Sequence, residues 1–306
     1  MINKTNGVDL CGQRTRGTWG VAVVLILLLL AANTAWGVTI QEIKARGEII
    51  HLGVPYANFV TGSGDGLDVD LMKRFAEHLG VRYRFEQTSW TEVFQDLTGR
   101  KVRITNGEVE FLGPAPVRGD VAAHGLTVLD WRKKIIRYSD PTFRTQIWLV
   151  AASETPIKPI EPSGDEQTDI ERVMGLLDGK QVLGKAGTCL DPSLYPLKQH
   201  GAIECHFEGA LNELVPAVMK GEYETTLLEI PDVLMALQKW PGRIKVIGPI
   251  APAQYMACAF DPSSDGLRAE FNAFFEKLKR SGEYRSMVKK YYPTVFDYLG
   301  EFLDDL

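Results

Sequence analysis

Residues 49–85 read IIHLGVPYANFVTGSGDGLDVDLMKRFAEHLGVRYRF, and this stretch decides the class of fold. The run at 49–54 is short and rich in aliphatic residues, as in a buried strand. Leu71, Met72, Phe75, Ala76 and Leu79 then recur at helical spacing until Gly80, a residue suited to a helix C-terminus, ends the pattern. A second strand-like run follows at 81–85. Strand, helix and strand in so short a span is the unit of a parallel sheet with a crossover helix. The same beat returns at 181–184, 194–198, 203–207 and 211–219, which predicts an α/β protein with parallel sheets.

Two stretches break the beat. Residues 102–112 read VRITNGEVEFL; Asn106-Gly107 suits the two positive-φ positions of a type I′ turn, so a projecting β-hairpin with a polar outer face is predicted. Residues 156–164 carry Pro156, Pro159, Pro162 and Gly164 and are predicted to form a surface loop. No tandem repeat is present.

With 306 residues, 45% hydrophobic and 24% charged, the chain can bury a real core and divide into two lobes. Lys4, Arg14 and Arg16 precede an apolar run at 21–32, and Ala35-Trp36-Gly37 offers small residues around a cleavable bond, so residues 1–37 read as a secretory signal. The run falls short of the roughly 20 residues of a spanning helix, which favours cleavage over a retained anchor. No later segment is expected to span a bilayer. Cleavage would leave the mature chain more acidic than the net −5 of the whole. It lacks a basic stripe with interleaved aromatics, so nucleic acid is not an expected partner. Cys11 lies before the apolar run, whereas a lipid-anchored signal would place its cysteine just after it; a soluble exported form is expected. Cys189, Cys205 and Cys258 have neither paired Cys-x-x-Cys spacing nor clustered histidines, so no metal and no cofactor are expected. Cys189 and Cys205 are the candidate disulfide pair. No nucleophile-elbow, zincin or phosphate-loop motif is found, and no nucleophile stands beside an evident base. No catalytic residue is assigned, and the chain is expected not to be an enzyme.

The order of several short motifs resembles the periplasmic solute-binding proteins, family 3, that serve amino-acid ABC transporters. These are Gly-Leu-Asp-Val-Asp at 66–70, Gly125-Leu126-Thr127 followed by Arg132, Tyr138-Ser139-Asp140-Pro141 and Lys185-Ala186-Gly187-Thr188. Gly221 with Glu224 and Glu229 comes next, then Ser281-Gly282-Glu283-Tyr284 and Lys290-Tyr291-Tyr292-Pro293. The hairpin reads as an insertion between Arg100 and Asp120. The resemblance implies a two-lobed periplasmic-binding-protein-like fold (type II), with a ligand cleft between lobes joined by two hinge strands. Lobe 1 would hold 42–145 plus 254–306, and lobe 2 residues 146–253, with crossings near 142–147 and 251–260. It further implies a monomer that captures an amino-acid-like solute in the periplasm for a membrane ABC permease.

Carried over by motif, Arg132 would grip the ligand carboxylate through two parallel hydrogen bonds, a geometry lysine cannot reproduce. Gly125 would permit close backbone approach, and Thr127 would offer its hydroxyl to the same carboxylate. Trp90 and Phe59 would supply aromatic walls. Lys185 and Thr188, after the 181–184 strand, would meet an anionic group, and Glu229 would receive the ammonium. Asp68 and Asp70 are read as helix-capping acids with no ligand role. Two departures bear on the ligand. Val54-Pro55-Tyr56 replaces an acid often found after the first strand, and Glu229 is longer than the usual Asp. An ordinary amino acid, a larger derivative and a carboxylate without an amine all stay open. The resemblance also admits a dehydratase-like cleft enzyme using Glu229 and Lys185, or a sensor, since the module also occurs fused to kinases and wall-degrading domains. The motifs running to the end of the chain point to a stand-alone module.

Overall fold

The computed structural model describes residues 37–105 and 107–298; the expected signal segment up to residue 36 and Asn106 of the predicted turn lie outside them. In chain order the strands are β1 (Glu48–Gly53), β2 (Arg82–Gln87), β3 (Arg100–Thr105), β4 (Glu108–Pro114), β5 (Val121–Ala122), β6 (Arg137–Tyr138) and β7 (Phe143–Thr145). There follow β8 (Ile147–Ala152), β9 (Gln181–Gly184), β10 (Ile203–His206), β11 (Thr225–Glu229), β12 (Ile244–Pro249), β13 (Gln254–Met256) and β14 (Ala259–Phe260). They form two five-stranded sheets with matching orders, β2-β1-β5-β14-β6 and β10-β9-β11-β8-β12. The expectation of parallel sheets needs one amendment. In each sheet the fourth strand runs antiparallel to both neighbours: β14 against β5 and β6, β8 against β11 and β12. These are the strands that directly follow β7 and β13, which pair antiparallel with Phe143 opposite Met256 and Thr145 opposite Gln254. A chain arriving from the other lobe enters its new sheet from the opposite end, and its strand is reversed for that reason.

The helix predicted from Leu71 onward spans Leu67–Leu79. It is entered through Gly66 at φ 136°, where a Cβ would lie 2.2 Å from the Phe59 carbonyl oxygen. It ends on Gly80 in the left-handed region, whose N–H reaches the Ala76 and Glu77 carbonyls. Leu71 and Phe75 are fully buried, worth about 1.5–3 kcal/mol each. The exposed Lys290–Asp70 ion pair at 2.7 Å adds at most about 1 kcal/mol, so the apolar face seats the helix. Apolar side chains cover the first sheet on both sides, Phe75, Phe271 and Phe275 on one and Phe94, Leu97 and Trp131 on the other. Leu149, Val182, Leu183 and Leu227 centre the core of the second lobe.

Elsewhere the predicted helices are shorter. The stretch 194–198 is two 3₁₀ turns, Pro192–Leu194 and Leu197–His200, because Pro192 and Pro196 lack the N–H that a continuous α-helix requires. Residues 211–219 begin as a 3₁₀ turn, Leu211–Glu213, before the helix Leu214–Met219. The hairpin forms as β3–β4, with Gly107 at φ 76°. Its faces divide differently from the expected polar exterior: Val102, Ile104 and Val109 pack on the first lobe, while Phe111 and Leu112 are exposed. A register shift between Lys101 and Val102 puts Leu112 out of the pairing. The three described cysteines are free. Cys189 is buried, whereas the Cys205 thiol donates to the Ile203 carbonyl within its own strand; the expected Cys189–Cys205 disulfide is not formed.

Asp68 and Asp70 do not cap their helix, which has no side-chain cap. Asp70 accepts from Lys290 and the Tyr291 hydroxyl. Asp68 is buried and accepts the Gly125 N–H at 2.7 Å, tying the Leu67–Leu79 helix to the 125–127 segment. Burial pushes its carboxyl from 3.8 up to about 7, against the opposing Gly125 hydrogen bond. An acid whose folded pKa is raised binds its proton more tightly when folded. Its stabilising contribution is complete below about 3.8 and is lost as pH climbs through about 7. Asp68→Asn keeps a carbonyl acceptor and cannot ionise, so its unfolding free energy in urea is expected to fall less than that of the parent between about pH 4 and pH 8. Parallel curves would show that Asp68 does not change its protonation on unfolding in that window.

Candidate functional site

Four strand ends converge on one buried polar cluster. The turn after β1 presents Tyr56, with Ala57 held at φ 44°, a left-handed conformation that costs a non-glycine residue about 1–3 kcal/mol. The segment after β5 presents Gly125 and Thr127, the loop after β9 presents Cys189, and β11 ends on Glu229. Glu229 is 1% exposed. Its Oε1 accepts the Thr127 hydroxyl at 2.7 Å and its Oε2 the Tyr56 hydroxyl at 3.0 Å. The Cys189 thiol lies close enough to act on it, lowering its pKa. Tyr56 lies 2.6 Å from Asp232 Oδ2 as well, on the helix Ile230–Lys239 that Glu229 opens. Both first-lobe hydroxyls therefore meet carboxylates of the second lobe.

Arg132 stands behind Thr127. Its short helix, Asp130–Lys133, buries the side chain to 2% exposure. One Nη donates to the Thr127 carbonyl at 2.8 Å, and the guanidinium lies 5.0 Å from the Trp131 ring centre and 5.8 Å from that of Phe94. Its Nε has no partner, and no described carboxylate reaches ion-pair distance. Its charge nonetheless acts on Glu229, Cys189 and Tyr138. Burial raises the Glu229 carboxyl, opposed by the hydrogen bonds of Thr127, Cys189 and Tyr56 and by the Arg132 charge. Burial lifts Asp232 to about 7, with the Tyr56 hydrogen bond opposing and the Glu229 charge adding.

Of the residues singled out by sequence, Thr127, Arg132 and Glu229 come together, with Gly125 beside them. Gly125 sits at φ 67°, and a Cβ there would lie 2.4 Å from the Phe59 ring, so both conformation and space require glycine. Phe59 is a core ring beneath the site, stacked on Tyr56 and edge-on to Phe143. Trp90 meets Tyr56 edge-on at 5.5 Å and His124 at 4.9 Å. Lys185 and Thr188 are engaged elsewhere. The Lys185 ammonium donates to the Gly209 carbonyl at 2.8 Å, and the Thr188 hydroxyl donates to the Lys185 carbonyl while accepting the Leu190 N–H. Tyr56, Cys189 and Asp232 were missed. Tyr56 carried a signal, since it stands where the resemblance led one to look for an acid. Among the described residues no group of three or more His, Cys, Asp or Glu is arranged to hold a metal ion, and no helix is long and apolar enough to cross a membrane.

Comparison with known proteins places this geometry. The chain is 26% identical over 295 residues to a membrane-bound lytic murein transglycosylase F of Desulfosudis oleivorans, covering 91% of this chain and 58% of that protein. It is also 26% identical over 289 residues to one of Pseudomonas fluorescens, covering 92% and 53%. The chain thus spans little more than half the length of these relatives. They bear the name of an enzyme, which corrects the expectation, drawn from missing motifs, that the chain is not one: motif absence does not decide that question. In fold the chain resembles an amino acid ABC transporter substrate-binding protein from Streptococcus pneumoniae bound to L-arginine, with TM-score 0.59, 19% identity, and 83% and 97% of the two chains covered. It also resembles the GluR0 ligand-binding core from Nostoc punctiforme in complex with glutamate, with TM-score 0.59, 15% identity, and 80% and 99% covered. These likenesses establish the two-lobed type II fold. Residues 113–294, more than half of the sequence, match the model of the bacterial extracellular solute-binding proteins, family 3, and the chain belongs to that family.

Proposed function

We propose that the chain closes around a small amino-acid-like carboxylate, held by Arg132 and Thr127 from the first lobe and by Glu229 from the second. The observation that carries this reading is the buried guanidinium of Arg132, without an acid in ion-pair reach, one residue's hydrogen bonds away from the acid of the opposite lobe. A ligand carboxylate would take the free guanidinium face and the Thr127 hydroxyl, releasing Glu229 to accept an ammonium. Trp90 and Tyr56 form the aromatic side of the site, with Phe59 beneath them, and Lys185 and Thr188 brace the loop that carries Cys189. The lobes are 42–145 with 254–306, and 146–253. Proteins of this family are extracellular or periplasmic. A periplasmic monomer, released from its signal and delivering solute to an ABC permease, is the role that fits best. A second reading is favoured by the relatives named as transglycosylases, which match nine-tenths of this chain. In it the ligand is a wall-derived amino compound, and binding informs a wall-degrading activity.

Ligand binding is expected to contract the particle, because the two sets of contacts are satisfied together only when the lobes are shut. Small-angle scattering at saturating ligand reads this directly, and an unchanged radius of gyration would oppose a two-lobed clamp.

A hydrogen bond to a charged group is worth about 1.5–3 kcal/mol, or about one to two decades of affinity. By calorimetry, Arg132→Lys is expected to weaken an amino acid and its deaminated analogue alike, since both carry the carboxylate. Glu229→Gln is expected to weaken only the amino acid. Equal weakening of both ligands by Glu229→Gln would make Glu229 a structural carboxylate and favour a ligand without an amine.

A further inference from the structure

Charge counting around the site leaves an imbalance. The ionisable groups meeting there are Arg132, Glu229, Asp232, Tyr56 and Cys189, together with Tyr195 and Tyr292, on which these act. Burial raises the three tyrosines and the cysteine well above their ordinary values, so they are neutral near pH 7. His124, near Arg132, is pushed down to about 3 and is neutral too. The Lys185 ammonium is spent on the Gly209 and Phe207 carbonyls. One guanidinium then faces two carboxyl groups, of which Asp232, lifted to about 7, carries a proton part of the time. A zwitterion of zero net charge leaves the second carboxyl to its proton, whereas a ligand with one further positive charge takes that proton's place.

Geometry says where the second charge belongs. The single Tyr56 hydroxyl proton serves two carboxylates, Glu229 Oε2 and Asp232 Oδ2, and it can be donated to only one of them at a time. A carboxylate left half-served at a partly buried position takes up a proton or a cation. An independent observation marks this as a ligand site rather than an acidic patch. Arg132, 2% exposed and unpartnered at Nε, bonds the carbonyl of Thr127, whose hydroxyl is on Glu229. An anion-binding group thus stands on one side of the acids. Tyr56 occupies the turn after β1, and Asp232 meets it there from the opposite lobe.

We propose that Asp232, positioned by Tyr56, is a second cation-binding residue of the cleft, and that the preferred ligand is an amino acid carrying an additional amine. This rests on the reading in which Arg132 and Glu229 hold the two ends of an amino acid. Asp232 receives the distal ammonium while Glu229 receives the one beside the carboxylate.

Calorimetry on the full chain with matched pairs tests it: L-lysine against L-norleucine and L-ornithine against L-norvaline, each pair differing by a terminal amine in place of a hydrogen. At least one diamino acid is expected to bind tenfold or more tightly than its partner. Asp232→Asn is expected to bring that ratio to within about threefold, while Asp232→Glu, which keeps the charge, restores most of it. Equal affinities within both pairs in the parent protein would overturn the proposal whether or not the variants fold, and so would a ratio that survives Asp232→Asn. If norleucine or norvaline binds in an Arg132-dependent way but the diamino acids gain nothing, this inference falls and the amino-acid reading stands. If none of the four compounds binds, both fall.

Discussion

Glu229 is a carboxylate taken almost wholly out of water and held by hydroxyl and thiol donors rather than by a salt bridge. Burying such a group without partners would cost several kcal/mol. Its position in the closed cleft rests on the Thr127 and Tyr56 hydroxyls, with the Cys189 thiol beside them. Both hydroxyls come from the first lobe, so the hydrogen bonds that make Glu229 bearable also bring the lobes together. Removing any one donor leaves the same acid under-served, and opening the cleft removes two at once. A ligand that supplies a positively charged donor can replace them with stronger bonds.

The architecture explains why so few residues suffice. Tyr56, the Gly125–Thr127 segment, Cys189 and Glu229 all follow the C-terminal ends of parallel strands β1, β5, β9 and β11, the edge where open α/β sheets bind ligands. Each lobe turns that edge toward the other because the chain crosses by the β7–β13 pair and enters each sheet reversed. The bridge of Thr127 to Met256 of β13 ties the site directly to a crossing strand, so a change of angle at the crossing moves the Thr127 hydroxyl relative to Glu229.

Much of this was legible in the sequence, and the parts that were not share a cause. Apolar spacing gave the helix Leu67–Leu79 and the strands around it, because burial of residues such as Leu71 and Phe75 dominates their energetics. The motif from Gly125 to Arg132 gave half of the site, since a glycine at positive φ and a buried arginine are demanding requirements that leave a mark. The reversed strands β8 and β14 were invisible because direction in a sheet is set by where the chain has come from, not by local composition. Asp68 looked like a cap and is instead the acceptor for Gly125, a contact between residues far apart in sequence. Cys189 and Cys205 looked like a pair because they share a lobe, yet one thiol faces Glu229 and the other stays in its own strand. Asp232 carried no signal in the sequence, because what marks it is Tyr56 reaching it from the other lobe.

The central claim is that one small carboxylate-bearing ligand occupies the space governed by Arg132, Thr127 and Glu229. Native mass spectrometry of protein purified without denaturation tests it most directly. The account predicts a stoichiometric adduct with the mass of an amino-acid-like compound, lost on gentle unfolding and absent from Arg132→Ala purified in the same way. A parent protein with no adduct that also fails to acquire one from a mixture of free amino acids would contradict it, as would an adduct retained undiminished by Arg132→Ala.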